Sequence, residues 1–376
     1  MAPRRYLDVH ILQTVPPANL NRDDQGNPKE AQFGGVRRSR VSSQAWKRAT
    51  RLAFAETVPA ADLGVRTKQI TEGLSELLGE RTSLAADARL RVARAVVAAL
   101  GIKPGKKEDN TAYLLFYGRP QLRGLADLVA EQAGELSELA DSALADAAKT
   151  LPVAETLRTG HPVDVALFGR MVADIPGLNV DGATQVAHAI STHAVQQEFD
   201  YYTAVDDENE REETGAGMIG SIGFNAATLY RYATVGLHQL EDNLADAEAA
   251  RDATALFVRS FALSMPTGHR NSFAHGTLPH LVAVALRDDQ PVNLASAFER
   301  PVSSSGGIAE ASAVRLAKEF TQAKDVWGAK ASHVAVSHGF TDRTAESVTS
   351  AFGAAVPFAE LLSGLTSRIA SDREQG

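Results

Sequence analysis

Apolar and polar residues alternate over YLDVHIL (6–12), with Leu7, Val9 and Ile11 on one side and Tyr6, Asp8 and His10 on the other, the period of a half-buried strand. The stretch QTVPPANLNRDDQGNPKEAQFGG (13–35), rich in Pro, Asn, Asp and Gly, reads as a long loop. Ser42 or Ser43 then caps a helix reaching about Glu56. On it Gln44, Lys47, Arg48 and Arg51 recur at i, i+3, i+4 and i+7 as a polar stripe, leaving Ala45, Ala49, Leu52 and Ala53 as the buried side. Helical spacing returns over about 66–100, where Leu90, Val92, Ala93, Val96, Val97 and Leu100 are periodic and Gly101 and Pro104 stop the pattern. TAYLLFYG (111–118) has the aromatic content of a strand, and 121–149 is helical again.

The pattern over 161–223 is irregular, and VAHAISTH fits an alternating strand or a buried helix equally well. DDENEREE (206–213) followed by TGAGMIGSIG reads as an exposed, mobile loop. FNAATLYRYATV (224–235) alternates as a strand, about 239–263 is helical, and LVAVAL (281–286) is a strand. With the first strand and the helix after Ser42 these form two strand–helix halves around large inserts, which predicts an α+β fold with a ferredoxin-like core. Helices over 308–324 and 341–371 flank a strand at SHVAVSH, and no repeat of 20–50 residues is visible.

The length of 376 residues suggests two or three structural units. No apolar run approaches the ~20 residues that cross a bilayer, and the first 15 residues carry Asp8 and His10 without a small-residue cleavage site. No membrane partner and a cytoplasmic location are therefore expected. With no cysteine, disulfides, thiolate nucleophiles and Cys-based zinc sites are excluded. The net charge of −8 argues against nucleic acid until its distribution is examined. Between residues 30 and 56 no acid occurs, while Arg37, Arg38, Arg40, Lys47, Arg48 and Arg51 carry +6, so the remainder holds −14. That is a basic patch on an acidic body.

The sharpest constellation is FGGVRRSRVSSQAWKR (33–48). Gly34 and Gly35 permit close backbone approach, three arginines follow, and Ser42 and Ser43 open a helix whose amides suit a phosphate. A charged helix face is commonly only solvated, but clustered like charges repel one another unless an anion relieves them. Catalytic candidates are weaker. His188 and His193 lack the Glu of a zinc-hydrolase helix, Asp206 and Asp207 sit in the acidic run, TGAGMIGSIG does not follow a strand, and Ser303, Ser304 and Ser305 form a turn without a nucleophile elbow. No metal and no cofactor are expected. Lys103, Lys106 and Lys107 make a second basic loop, either solubilising or in contact with target DNA.

The string NLNRDDQGNPKEAQFGGVRRSRVSSQAWKRA (19–49) resembles the N-terminal signature of the CasC family, the backbone subunit of the type I-E Cascade complex of CRISPR systems. The resemblance continues through VDVALFGRMVAD (163–174), QVAHAISTH (185–193), EFDYYTAVDD (198–207) and MPTGHRNSFA (265–274), in order over most of the chain. It implies an RRM-like palm (1–56 and 224–376, with C-terminal helices), a helical fingers insertion (57–160) and a protruding thumb with a wedge (161–223). It further implies a non-catalytic antiviral subunit that polymerises into a helical filament along crRNA, beside other Cascade subunits, presenting the guide to target DNA. Asn19, Asn21, Arg22, Arg37, Arg40, Ser42, Gln44, Lys47 and Arg48 fall in the RNA-contacting signature, and Arg38, Ser43 and Arg51 join them as candidates from the same segment. Met171 matches an apolar wedge, and Phe199, Tyr201 and Tyr202 open the thumb; ordinary core packing is the competing reading for Met171 and the tyrosines. The rival function is a metal-dependent ribonuclease cutting target RNA, as in related type III backbone subunits; a protein-only scaffold is a third.

Overall fold

The computed structural model describes residues 4–204, 218–303 and 305–374. The chain divides into two compact units, Met1–Ala53 with Gln185–Val235 and Thr254–Gly376, and Phe54–Thr184 with Gly236–Ala253. The segment 161–223 is thus shared between them, its first part lying with the helices and its second with the sheet.

The first unit is mixed α and β. Its sheet runs, in hydrogen-bonded order, His333–His338, Leu281–Arg287, Tyr6–Ala18, Met218–Gly236, Ala189–Ser191, Val36–Val41 and Glu30–Phe33. Tyr6–Ala18 pairs antiparallel with Leu281–Arg287 from Tyr6 opposite Arg287 to Leu12 opposite Leu281. The first strand is longer than its alternating core, passing through Pro16 and Pro17, and Glu30–Phe33 is also a strand, so the expected loop shrinks to the residues between. VAHAISTH resolves into strand, as does the Met218–Gly223 part of the expected mobile loop. The helical reading of about 239–263 divides into Leu237–Leu244 and Ala247–Leu263, broken where Ala245 adopts the left-handed conformation at φ 54°.

The first strand is not half-buried: Asp8 and His10 are as enclosed as Leu7, Val9 and Ile11. Both sheet faces are covered. On one side the helices Ser43–Ala53 and Ala247–Leu263 meet through Trp46 and Phe261, whose ring centroids are 6.4 Å apart. The buried Arg231 guanidinium lies 3.7 Å from the Trp46 ring centroid and bonds Gln13 Oε1 and the Phe261 carbonyl. On the other side Leu12, Tyr230, Tyr232, Leu281 and Ala283 pack against Ala313, Leu316, Ala317 and Phe320 of the helix Ile308–Trp327. Two-sided burial forces the polar residues of the strand to find partners. Asp8 bonds Arg287 Nε at 2.7 Å and accepts from Tyr232 Oη at 2.8 Å, and His10 Nδ1 lies 2.9 Å from Tyr230 Oη.

In the second unit Gly64–Thr67 pairs with Leu115–Gly118, and helices Ile70–Arg81, Ala86–Ala99, Arg119–Ala130 and Asp141–Thr150 surround a core of Ile70, Leu74, Leu78, Val92, Val96, Leu122, Leu125 and Val129. Among the described residues no helix is long and apolar enough to cross a membrane.

Candidate nucleic-acid interface

The strands Glu30–Phe33 and Val36–Val41 form a hairpin closed by Gly34 and Gly35, both at positive φ, 59° and 77°. Two such residues in succession make a turn whose twist suits a hairpin. A Cβ on Gly34 would stand 1.5 Å from the Glu299 carbonyl oxygen, so the close approach it permits is to this unit's own backbone. The three arginines of the hairpin diverge. Arg37 is exposed and pairs with Glu30 at 3.1 Å. Arg38 is fully buried, donating to the carbonyls of Phe33, Ser191, Phe298 and Glu299. It cannot reach a ligand, and its assignment as an RNA contact is corrected to a structural one: the edge hairpin and the 298–299 turn need a common donor that cannot lose its proton. Arg40 is half-buried, bonding the Glu30 carbonyl at 3.1 Å and His188 Nδ1 at 3.0 Å.

The helix after the hairpin spans Ser43–Ala53, followed by a short 3₁₀ turn, Phe54–Glu56. Ser42 is its cap, its Oγ accepting from Ala45 N at 3.3 Å while its own amide donates to Asn21 Oδ1 at 2.9 Å. Ser42 is buried, which corrects it from an RNA ligand to a part of the helix start, whereas Asn21 is half-buried with its Oδ1 engaged at that start. The helix buries Trp46, Ala49 and Thr50, and not Leu52, which is 48% exposed. Trp46 displaces the expected alanine and leucine face because its ring fills the space against Phe261 and Arg231. Gln44 and Arg48 are exposed, and Ser43, Lys47 and Arg51 are half-buried. Burial without an acid holds the Lys47 ammonium below its ordinary pKa. Among the described residues no carboxylate lies within ion-pair distance of Arg40, Lys47 or Arg48.

Beside this helix lies an open cavity of about 630 Å³, lined by Asn21, Arg22, Arg48, Leu52, Thr267 and His269 among others. Arg22 is exposed, with Nη1 3.4 Å from His269 Nε2. Asn19 is buried and does not face the cavity: its Nδ2 donates to the carbonyls of Gly26 and Gly223, both at 2.9 Å. This too corrects a predicted ligand. Asn19 ties the Arg22 loop to the base of a second hairpin, a link repeated where Gln197 Nε2 donates to Asn27 Oδ1 at 2.8 Å.

That second hairpin pairs Glu198–Ala204 with the start of Met218–Gly236. Phe199 and Tyr201, 66% and 63% exposed, fall on one face, opposite Gly223 and Ser221. Tyr202, on the other face, extends over Gly220, where a Cβ would lie 2.4 Å from the phenol ring. These rings are not core. Asp206 and Asp207 lie outside the described residues.

In the second unit Met171 is 83% exposed between two anchors. Arg170 is buried, donating to the Leu178 and Leu157 carbonyls at 2.7 Å, and desolvation brings its pKa down to about 10. Val172 is buried, its amide bonded to Asn179 Oδ1 at 2.6 Å. The thioether is held out in water by two fixed neighbours, so the competing reading of Met171 as core packing within this unit is set aside. Lys103 pairs with Asp174 at 3.4 Å, whereas Lys106 and Lys107 are exposed. Three residues that sequence reasoning did not assign to RNA join the basic set: Lys29, which acts with Arg40 on the His188 ring, and His188 and His269 themselves. All three sit inside the signature strings, but only tertiary contact brings them to the arginines. His193, by contrast, is engaged internally, accepting from Thr228 N at 3.1 Å.

The family model described as CT1975-like protein matches residues 7–363. No curated protein matches the chain. Among solved structures, the chain is similar to one from a "CRISPR RNA-guided surveillance complex, pre-nicking", at 35% identity and a TM-score of 0.83 over 97% of this chain and 100% of that one. It is also similar to one from a "CRISPR RNA-guided surveillance complex", at 30% identity and a TM-score of 0.74 over 96% and 99%. With a family model matched over nearly its whole length and two solved relatives sharing its fold from end to end, the chain belongs to the CT1975-like protein family, as its CasC-like strings led us to expect.

Proposed function

We propose that the chain is the guide-RNA-binding backbone subunit of a type I-E CRISPR surveillance complex, assembling with copies of itself along crRNA and leaving the guide free to pair with target DNA. The observation that carries this is the trio Arg40, Lys47 and Arg48, cations with no carboxylate within ion-pair distance among the described residues, of which Arg48 lines an open cavity together with Arg22, Asp23 and Asp24. Backbone contacts of this kind position an RNA without reading its sequence, which base pairing does instead. The names of the two surveillance-complex relatives support the same reading. The strand order Leu281–Arg287, Tyr6–Ala18, Met218–Gly236, Ala189–Ser191, with Ser43–Ala53 and Ala247–Leu263 as crossover helices, supports an RRM-like palm. In this reading the helical unit serves as fingers and the Phe199–Tyr201 hairpin as the thumb.

The test is reversal of charge at Arg40, Lys47 and Arg48 together, R40E/K47E/R48E, in protein expressed with a guide transcript. The variant should purify folded but without RNA, read from its absorbance ratio and extracted nucleic acid. Milder substitution of the three by Gln should lower the slope of log affinity against log salt by about 2, at roughly 0.7 per phosphate contact on a single strand. Retention of full-length guide by the reversed variant at physiological salt overturns the assignment. The subunit is proposed to be non-catalytic, and cleavage of complementary RNA by the assembled complex in magnesium, traced to this chain by substitution, would overturn that part.

A further inference from the structure

Two histidines outside the predicted guide-binding set each rest on one of its arginines. Arg40 Nη1 lies 3.0 Å from His188 Nδ1, and Arg22 Nη1 lies 3.4 Å from His269 Nε2. A guanidinium offers only donors, so the facing ring nitrogen must accept and the ring proton must sit on the other nitrogen. His188 therefore presents Nε2–H and His269 presents Nδ1–H, each on the side of the ring away from its arginine.

Both rings stand where a ligand could reach them. His188 is exposed just before the strand Ala189–Ser191, which pairs Ile190 with Arg40. His269 lines the 630 Å³ cavity with Arg22 and Arg48. Its backbone is left-handed at φ 48°, a conformation costly for a residue with a Cβ, and the adjacent Gly268 is pressed against the Asn19 and Leu20 carbonyls. The charged groups facing His188 are Arg40 and Lys29; His269 faces Arg22, and Asp23 and Asp24 line the same cavity. Partial burial first, and these cations second, hold both imidazoles below their ordinary pKa.

We propose that His188 and His269 are further ligands of the guide RNA backbone, each donating a hydrogen bond to a phosphate oxygen that its partner arginine also holds. The inference rests on the guide-RNA reading above. An arriving phosphate adds an anion beside each ring and draws the guanidinium off the facing ring nitrogen, which is then free to take a second proton, so the RNA-bound form should also bind protons on these rings.

The experiment measures binding of a fluorescein-labelled guide transcript to the full chain at fixed salt between about pH 8 and about pH 5.5. Wild-type affinity should rise on acidification by about 3- to 10-fold for each histidine engaged. In H188Q/H269Q a side-chain amide keeps an acceptor for the arginine and a donor for the phosphate but cannot titrate. This variant should bind within about threefold of wild type at pH 8 and lose the pH dependence. In H188F/H269F both donors are gone, and affinity should fall by about 5- to 30-fold throughout. Thermal midpoints confirm that both variants are folded. A phenylalanine variant that binds like wild type, or a glutamine variant that keeps the full pH dependence, overturns the proposal. If folded wild-type protein binds no transcript at any pH, it is the guide-RNA reading that falls, a result distinct from wild type and variants binding alike.

Discussion

Arg37, Arg38 and Arg40 occupy three of four successive positions and end in three environments: an exposed pair with Glu30, a closed cage of carbonyls, and a half-exposed seat on His188. The cage defines what Arg38 does. Its guanidinium satisfies backbone carbonyls from three separate segments, and removing it leaves those oxygens buried without a donor. Arg38→Met should therefore lower unfolding free energy by about 2–4 kcal/mol, measured by chemical denaturation, with RNA affinity following only the loss of folded protein. Arg37→Met, on an exposed side chain, should leave stability unchanged and weaken RNA binding. Equal stability of the two variants would show that the cage contributes nothing. The motif RRSR reads as one basic run because sequence carries no information on which side chain a neighbouring turn will enclose.

At the scale of elements, the feature that matters is a strand face bearing two large rings opposite small residues. Phe199 and Tyr201 lie opposite Gly223 and Ser221 and are largely exposed, and the strand Met218–Gly236 continues into the sheet that anchors them. Such rings are suited to stacking on bases, worth roughly 1–3 kcal/mol each. Phe199→Ala with Tyr201→Ala should leave the denaturation midpoint nearly unchanged while altering the reactivity of bound RNA to base-specific chemical probes. Were these rings core, the same truncations would cost about 3–5 kcal/mol apiece, so a large drop in stability would reject the exposed-platform account. Met171→Ala belongs to the same class, its side chain pinned outward by Arg170 and Val172. The aromatic content of EFDYYTA was plain in the sequence; its exposure was not, because alternation over a short segment fits a strand with either face buried.

Across the molecule, acid should act through enclosed histidines. Desolvation pushes His10 down to about 3 and, in the other unit, His161 down to about 4, against an ordinary 6.5. The unfolded chain then binds more protons than the folded one between those values and 6.5, so stability rises with pH in that window and is lost as pH falls through it. Each group contributes at most about 1.4 kcal/mol per pH unit. His10→Gln, which keeps a partner for Tyr230 and cannot titrate, should flatten the decline between about pH 6.5 and pH 5 in denaturation experiments. An unchanged slope would mean that the ring titrates alike in the folded and unfolded chains. Next to it, the enclosed Asp8–Arg287 pair makes truncation of one partner far worse than its distance suggests. Asp8→Ala leaves the enclosed Arg287 guanidinium with the Ala329 carbonyl but no counter-charge, at a cost of about 3–5 kcal/mol, read from the same denaturation curves.

The order of amino acids by itself determined the type of most elements, the concentration of positive charge between residues 30 and 56, and the family, because periodicity, like-charge clustering and long ungapped strings are local properties of the chain. Which cations stay available was decided by tertiary structure. Arg38, Asn19 and Ser42 were taken inward by carbonyls and amides from distant segments, and His188 and His269 were brought to arginines 148 and 247 residues away. Burial and hydrogen-bond pairing depend on what else arrives at the same place, and only the closed sheet with both faces covered specifies that.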